Sequence, residues 1–222
     1  MKNLLKFVSI IFVFSLVFTA CGGNNDGDEP GENELLLTSG LLTDEDLAND
    51  TTGWTSTMAG SDYISEWDKS SDGYVVFSPN YYINDEYRIQ AHYLPVRDSK
   101  WSGKLTGGVL PLPVSVRDGF FECEIKMNKP NQWSAAYEKS LGIYEAATAN
   151  TEDGYTFTKY NITGTPAANT WFKIRLPLQG NVNYGSNAGG INKAGLFSFY
   201  ILGLPDDTFE LTMRNLKFTA AD

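Results

Sequence analysis

The segment GLFSFYILGLPDDTFELTMRNLKF, residues 195–218, decides the fold. Neighbouring side chains of a β-strand point to opposite faces, so residues two apart share a face. In Gly195–Gly203 the large apolar side chains alternate with polar or amphipathic ones, which is typical of a strand covering a core on one side. The two sets are Phe197, Phe199 and Ile201 against Ser198 and Tyr200.

The rest of this segment, Phe209–Phe218, predicts the last strand of the domain. It begins with Phe209, Leu211 and Met213 on the core face. The alternation then changes phase near Asn215, because Leu216 and Phe218 are also apolar. Such a shift predicts a β-bulge.

The same alternation recurs upstream. In Glu86–Leu94 the core face would carry Tyr87, Ile89, Ala91 and Tyr93, and in Phe120–Met127 it would carry Phe121, Cys123, Ile125 and Met127. Further strands are predicted at Leu35–Leu42, Gly73–Ser78, Leu141–Ala146, Tyr155–Thr163 and Trp171–Pro177, which makes about nine. No helical spacing is sustained, so we predict an all-β, two-sheet antiparallel sandwich, with a barrel as the alternative.

The first twenty residues have the pattern of an export signal. Lys2 and Lys6 precede an apolar run, Phe7–Phe18, that is shorter than the roughly 20 residues a membrane span needs. Phe18-Thr19-Ala20-Cys21 resembles a lipobox, which implies cleavage before Cys21 and lipidation of that cysteine. The alternative is an ordinary signal peptide with a chance cysteine.

The boundaries that follow are a signal peptide at 1–20, a flexible acidic tether at 21–34 and a single sandwich domain at 35–222. The tether, GGNNDGDEPG at its start, cannot offset its ordering entropy. Its acidic residues resemble a surface-export signal. We therefore expect a membrane anchor through the lipid on Cys21, at the outer membrane and exposed at the cell surface, with the periplasmic face as the alternative.

Charge and cysteine content exclude several classes of protein. The formal charge is −10, and loss of Lys2 and Lys6 with the signal makes the mature chain −12, which disfavours nucleic acid as a partner. Cys21 and Cys123 are the only cysteines. With Cys21 lipidated, the monomer forms no internal disulfide and no cysteine-based zinc or redox motif.

Two segments near the C-terminus resemble a known family. Asn169–Leu178, NTWFKIRLPL, and Ile191–Phe218 resemble the closing strands of galactose-binding-like jelly-roll domains, which include many carbohydrate-binding modules. The resemblance implies a jelly-roll β-sandwich and a glycan ligand. Many such domains bind structural calcium through an Asp on the last strand. Arg214 or Asn215 stands at that place here, so the calcium site is not carried over to this sequence, and the sequence predicts no cofactor.

A sugar-binding site needs flat aromatic rings for the C–H faces of the sugar and fixed polar groups for its hydroxyls. Parity places several polar side chains on solvent-facing strand faces, and two tryptophans lie in polar, loop-like contexts. The alternatives are a solvated face held by ion pairs and indoles that plug the ends of the sandwich. The candidate ligand-binding residues are Arg88, Gln90, His92, Glu122, Glu124, Trp101, Trp133 and Tyr200.

Catalysis is not expected. Gly119–Ala136 is similar to a strand of laminarinase-like hydrolases, but Glu122-Cys123-Glu124 is followed by Ile-Lys-Met and does not form their Glu-x-Asp-x-x-Glu pattern. The chain has one histidine and no serine-nucleophile or zinc motif. The sequence thus predicts a non-catalytic lipoprotein that captures oligo- or polysaccharide beside glycan-uptake partner proteins. A protein-binding adhesion module and a divergent glycosidase are the alternatives.

Overall fold

The computed structural model describes residues 33–49, 51–55, 65–79, 82–145, 157–178 and 191–222. Within these ranges the chain forms two six-stranded sheets and a small two-stranded one. The first sheet contains β1 (Glu34–Thr38), β3 (Ser65–Lys69), β4 (Val75–Pro79), β8 (Phe120–Met127), β11 (Phe172–Pro177) and β14 (Leu211–Thr219). The second contains β2 (Thr52–Thr55), β5 (Tyr82–Ile83), β6 (Glu86–Asp98), β9 (Glu138–Tyr144), β10 (Phe157–Asn161) and β13 (Leu196–Leu204).

The remaining elements are short. β7 (Leu110–Pro111) pairs with β12 (Lys193–Ala194). The helices are α1 (Asp44–Asn49), α2 (Pro130–Ala135) and two 3₁₀ turns, Ser99–Trp101 and Val114–Val116. In the described part of the chain, no helix has the length and apolar character needed to cross a membrane.

The connections between the two sheets make the fold a jelly-roll sandwich. The first sheet has the order β11-β8-β14-β4-β3 with β1 also paired to β14, and the second has the order β10-β9-β13-β6-β2 with β5 beside β6. Every described pairing is antiparallel, and the chain repeatedly crosses from one sheet to the other, as from β6 to β8 and from β13 to β14. The predicted fold class is therefore confirmed.

Aromatic rings of the two inner faces form the centre of the core. Phe121 of the first sheet stacks on Phe197 of the second, with ring centroids 5.6 Å apart, and meets Phe218 edge-on at 5.7 Å. The predicted core face of β8 is fully buried, from Phe121 to Met127. Parity thus assigned the inner face of this strand correctly.

The bulge predicted in the last strand is also present. The register of β14 against β8 shifts between Arg214 and Lys217, and Asn215 adopts a positive φ of 53°. Its backbone N–H donates to Ser39 O at 3.0 Å. The extra residue therefore lets Met213 and Leu216 both face the core.

Several element boundaries differ from the prediction. The first strand ends at Thr38, and the strand expected at Leu141–Ala146 starts earlier, at Glu138, and ends at Tyr144. The strands β2, β3, β5, β7 and β12 were not predicted, because each has at most five residues and little alternation. The two α-helices were not predicted either, because six residues are too few to show a helical repeat. The signal peptide, Cys21 and all but the last residues of the tether lie outside the described residues.

Candidate functional site

The outer face of the second sheet brings polar residues from four neighbouring strands together. Its register places His92 beside Ser198, and Gln90 beside Tyr200, which in turn pairs with Ser140. We call this surface the polar face. It comprises Thr55 of β2, Arg88, Gln90 and His92 of β6, Glu138, Ser140 and Tyr144 of β9, and Ser198 and Tyr200 of β13. Four of the eight predicted ligand-binding residues thus lie on one surface.

His92 is fully buried in the middle of this surface, at 0% exposure. Its Nδ1 lies 2.8 Å from Ser198 Oγ, and its Nε2 has no hydrogen-bond partner among the described residues. Burial lowers the pKa of His92 from 6.5 to about 4, so the ring is neutral at physiological pH. The prediction that His92 and Gln90 face solvent is wrong, because parity fixes the side of a sheet and not what covers it.

Tyr144 and Tyr200 form the aromatic part of the polar face. Their hydroxyl oxygens are 3.2 Å apart. The Tyr144 ring leans across Gly142, where an added Cβ would come within 2.9 Å of Tyr144 Cε2. Beside them Ser140 Oγ donates to Glu138 Oε1 at 2.8 Å. Glycine at position 142 therefore leaves the space that the tyrosine ring occupies.

One end of the polar face is open and carries an exposed aromatic ring. Tyr137 is 66% exposed, yet its hydroxyl donates to Glu86 Oε1 at 2.8 Å and its backbone N–H donates to Leu202 O at 3.0 Å. The ring lies against Gly203, where an added Cβ would be 2.5 Å from Tyr137 Cδ1. Glu86 also pairs with Arg88. Tyr137 is thus a fixed ring with a free surface beside polar groups.

The sequence places Tyr137 among several loop aromatic residues that could bind a sugar, but it gives no reason to prefer Tyr137 to Trp101 or Trp133, because none of them belongs to an alternating run. The pair of Tyr82 and Tyr87, with ring centroids 4.9 Å apart, lies on the same end of the sheet through the pairing of β5 with β6. An aromatic residue directly before a strand with a polar outer face is the signal that would have indicated this end.

The two predicted tryptophans lie in the interior instead. Trp101, in the 3₁₀ turn, is 4% exposed and its Nε1 donates to Tyr93 Oη at 2.9 Å. Trp133, in α2, is 1% exposed and its Nε1 donates to Gly164 O at 2.8 Å. An indole whose N–H finds a partner can bury its whole ring. The prediction of exposed loop platforms is therefore wrong for both, and each plugs the sandwich.

Glu122 and Glu124 lie on the outer face of the first sheet, away from the polar face. Glu122 is buried between Lys173 Nζ at 2.9 Å and Arg175 Nε at 3.0 Å. The solvent-facing position predicted for Glu122 is wrong, because these two side chains cover it. For this side of the molecule, the alternative interpretation of the sequence, a strand face held by ion pairs, is the correct one.

Glu124 belongs to the same network. It accepts hydrogen bonds from Arg214 Nε at 2.9 Å and Asn215 Nδ2 at 2.8 Å, and these donors hold the pKa of its carboxyl below the usual range. Arg214 and Asn215 stand where the resemblance would place a calcium-binding Asp. Within the described ranges, no group of three His, Cys, Asp or Glu residues is arranged to hold a metal ion.

A groove of about 480 Å³ also crosses the outer face of the first sheet. In its lining, Lys126 Nζ pairs with Asp72 Oδ2 at 2.5 Å and lies 4.9 Å from the ring centroid of Trp171. A ligand would have to disrupt this ion pair to bind Lys126 or Asp72. Trp67 also lines this groove and is partly exposed. The polar face is the better candidate, because the Tyr137 ring is 66% exposed and is fixed by its hydrogen bond to Glu86.

No family model matches the chain, and no curated protein matches it. Among solved structures, it is similar to a family 11 carbohydrate-binding module from Clostridium thermocellum in complex with a β-1,3-1,4-mixed-linked tetrasaccharide. The identity is 15%, the coverage 85% of this chain and 96% of that one, and the TM-score 0.48.

Two further solved structures resemble the chain at a similar level. One is a family 27 module, CBM27-1, from Caldicellulosiruptor saccharolyticus in complex with mannohexaose, at 12% identity, 86% and 98% coverage and a TM-score of 0.42. The other is the K1 cleaved adhesin domain of Lys-gingipain from Porphyromonas gingivalis, at 13% identity, 85% and 98% coverage and a TM-score of 0.38. Likenesses of this size do not identify a ligand for this chain.

Proposed function

We propose that this protein binds glycan without cleaving it, on the open end of the polar face. The observation that carries the proposal is the Tyr137 ring, 66% exposed and fixed by its hydrogen bond to Glu86. A ring held in place loses little conformational entropy when a sugar stacks on it. Arg88, Glu138 and Tyr200, all partly exposed, supply hydrogen-bonding groups within the same surface.

Weak binding is expected from such a site. Each hydrogen bond to a sugar hydroxyl contributes about 0.5–1.5 kcal/mol net, because water competes for both partners. A stacked ring adds a contribution of similar size. A few such contacts, less the cost of association, give a dissociation constant on the order of micromolar to millimolar.

The cellular role completes the proposal. The lipobox-like residues Phe18-Thr19-Ala20-Cys21 support a lipid anchor on Cys21, and the acidic residues after it support export to the cell surface. A tethered domain with a weak glycan site would concentrate carbohydrate near the membrane. Capture for uptake, beside partner proteins that transport the sugar, is the function we assign to it.

The experiment is a native affinity gel of residues 33–222 with soluble polysaccharides, followed by calorimetry with the polysaccharide that slows migration. Tyr137→Ala should weaken binding about tenfold, as expected for loss of one stacked ring. Tyr137→Phe keeps the ring and should stay within about threefold of wild type. The matched control, Arg97→Ala, changes an exposed residue on β6 that lies outside the polar face.

Unchanged affinity in Tyr137→Ala would place the glycan elsewhere. Failure of every polysaccharide to bind at millimolar concentration would remove the glycan proposal, and recovery of a specific protein partner would then favour the adhesion module.

A further inference from the structure

The chain enters the domain at one end of the first sheet. β1 begins at Glu34, which pairs with Thr219 at the end of β14, and Thr219 in turn pairs with Phe120 at the start of β8. Just outside these strands, the backbone N–H of Ala220 donates to Asn33 O at 2.8 Å. Any segment that precedes Asn33 is therefore attached at this end of the sandwich, which we call the attachment end.

The Tyr137 ring lies at the other end. β8 runs from Phe120 to Met127, and the chain then continues through α2 to Tyr137. The backbone N–H of Tyr137 donates to Leu202 O at 3.0 Å, near the end of β13. A short turn leads from β13 into β14, which begins at Leu211, the partner of Met127. The end of β8, the end of β13 and the start of β14 therefore meet at the Tyr137 end.

Hydrogen bonds fix the region before α2 to this turn. Asn128 Nδ2 donates to Thr208 O at 2.9 Å, and the backbone N–H of Glu210 donates to Asn128 Oδ1 at 2.9 Å. A strand rises about 3.3 Å per residue, so β8 separates the attachment end from the Tyr137 end by about 23 Å. The point of attachment and the exposed ring are thus held at opposite ends of the sandwich.

Resting on the glycan-binding function and the lipid anchor proposed above, we infer that the anchored protein carries its glycan site at the end of the sandwich farther from the membrane. The lipid on Cys21 holds the attachment end near the membrane, and the body of the domain lies between that end and Tyr137. The ligand is then a polysaccharide that approaches from the surrounding medium, and not a glycan of the membrane that holds the protein.

The flexible tether predicted from the sequence does not cancel this arrangement. As a random coil, residues 21–34 would span roughly 20 Å, which is similar to the separation of the two ends. Because the domain cannot enter the bilayer, it cannot point the Tyr137 end straight at the membrane while the attachment end lies within about 23 Å of it. The Tyr137 end is therefore farther from the membrane on average.

The first test measures which end lies nearer to the membrane. The full lipidated protein is reconstituted in vesicles that contain an acceptor dye on the outer leaflet, with a donor dye on Asp207→Cys or on Ala221→Cys. Both positions are exposed, and they follow β13 at the Tyr137 end and β14 at the attachment end, respectively. Cys123 is buried and does not take up the dye. We expect stronger energy transfer from position 221, and equal transfer or the reverse ranking would overturn the inference.

The second test uses binding itself. Vesicles that carry the lipidated protein are mixed with vesicles that display lipid-linked hexasaccharides of mixed-linked β-glucan, mannan, xylan or laminarin. Many weak contacts between two such surfaces act together, so we expect the vesicles to aggregate with the glycan that binds the free domain in calorimetry. Residues 33–222 coupled to lipid through Asp207→Cys should lose this aggregation, because the site then lies next to its own membrane. The matched control, coupled through Ala221→Cys, should keep it.

Equal aggregation by the two coupled forms would overturn the inference and leave the glycan-binding function intact. If none of the hexasaccharides binds the free domain, the glycan-binding function fails. If the full protein does not associate with vesicles, the lipid anchor fails. In either of these last two cases the inference fails with its premise.

Discussion

His92 is the single histidine of the chain, and its surroundings strongly lower its pKa. Its ring is buried between Ser198, which contacts Nδ1, and the edge of Tyr200, 6.2 Å away between ring centroids. Protonation would place a charge where the described residues offer Nε2 no acceptor. The neutral ring is therefore part of the folded state.

Acid should destabilise the domain through this residue. Because the folded-state pKa of about 4 lies below the unfolded value of 6.5, the unfolded chain binds the proton first. The contribution of His92 to the free energy of unfolding is fully present above pH 6.5. It falls as the pH drops toward 4, by roughly 3 kcal/mol. Denaturant unfolding at pH 7, 5.5 and 4.5 measures this loss, and His92→Asn, which keeps a partner for Ser198, should show much less of it. Equal acid sensitivity of both proteins would contradict the burial of a neutral His92.

At the scale of the element, β8 shows what alternation in a sequence can and cannot predict. It assigned Phe121, Cys123 and Ile125 to the core, because that side must lie against the other sheet whatever the topology. It also assigned Glu122 and Glu124 to the outer side. Whether Glu122 and Glu124 share a surface with Arg88 depends on which sheet contains each strand. The alternation of apolar and polar residues within one strand does not predict this.

Substitutions on the inner face of β8 should lower the free energy of unfolding more than substitutions on its outer face. Ile125→Ala removes a buried side chain and leaves a cavity, so the free energy of unfolding should fall by about 2–5 kcal/mol. Glu124→Ala removes the acceptor of Arg214 and Asn215 at a partly exposed site, which should cost about 1 kcal/mol. Denaturant midpoints measure both. The reverse ranking would mean that the faces of β8 are inverted.

The element α2 provides a second contrast, between a buried and an exposed aromatic residue. Trp133→Phe removes the hydrogen bond to Gly164 O and part of a buried ring, so stability should fall by about 1–3 kcal/mol. Glycan affinity of the folded protein should stay at the wild-type value, because Trp133 offers no free surface. Thermal melts with calorimetry test both parts. A loss of glycan affinity without a loss of stability would mean that Trp133 contacts the glycan.

At the scale of the whole molecule, the sequence predicted the sandwich, its strand parity and the four polar-face residues Arg88, Gln90, His92 and Tyr200. It did not predict that Gln90 and His92 are buried, and it could not single out Tyr137 among the loop aromatic residues, since both depend on how strand ends and helices meet in space. The loop tryptophans were misplaced for the same reason. Polar neighbours in the sequence do not predict whether a tryptophan ring is exposed, because the side chain is long enough to reach the core from a surface loop.

The anchor is a separate prediction at this scale. Cys21→Ala should abolish incorporation of labelled fatty acid, because the cysteine sulfur is the expected attachment point. The precursor should then stay uncleaved or mislocalise. Cys123→Ala is the matched control, since Cys123 is buried in the core. Normal labelling of Cys21→Ala would contradict the lipoprotein assignment.

The central claim is that glycan binds on the polar face of the second sheet, and amide chemical-shift mapping tests it most directly. Residues 33–222 labelled with ¹⁵N are titrated with the polysaccharide fragment that binds in calorimetry. We predict shifts at Arg88, Gln90, Glu138 and Tyr200, with none at Glu124, Lys126 and Thr212 on the opposite sheet. Shifts confined to β4, β8 and β14 would contradict binding on the polar face.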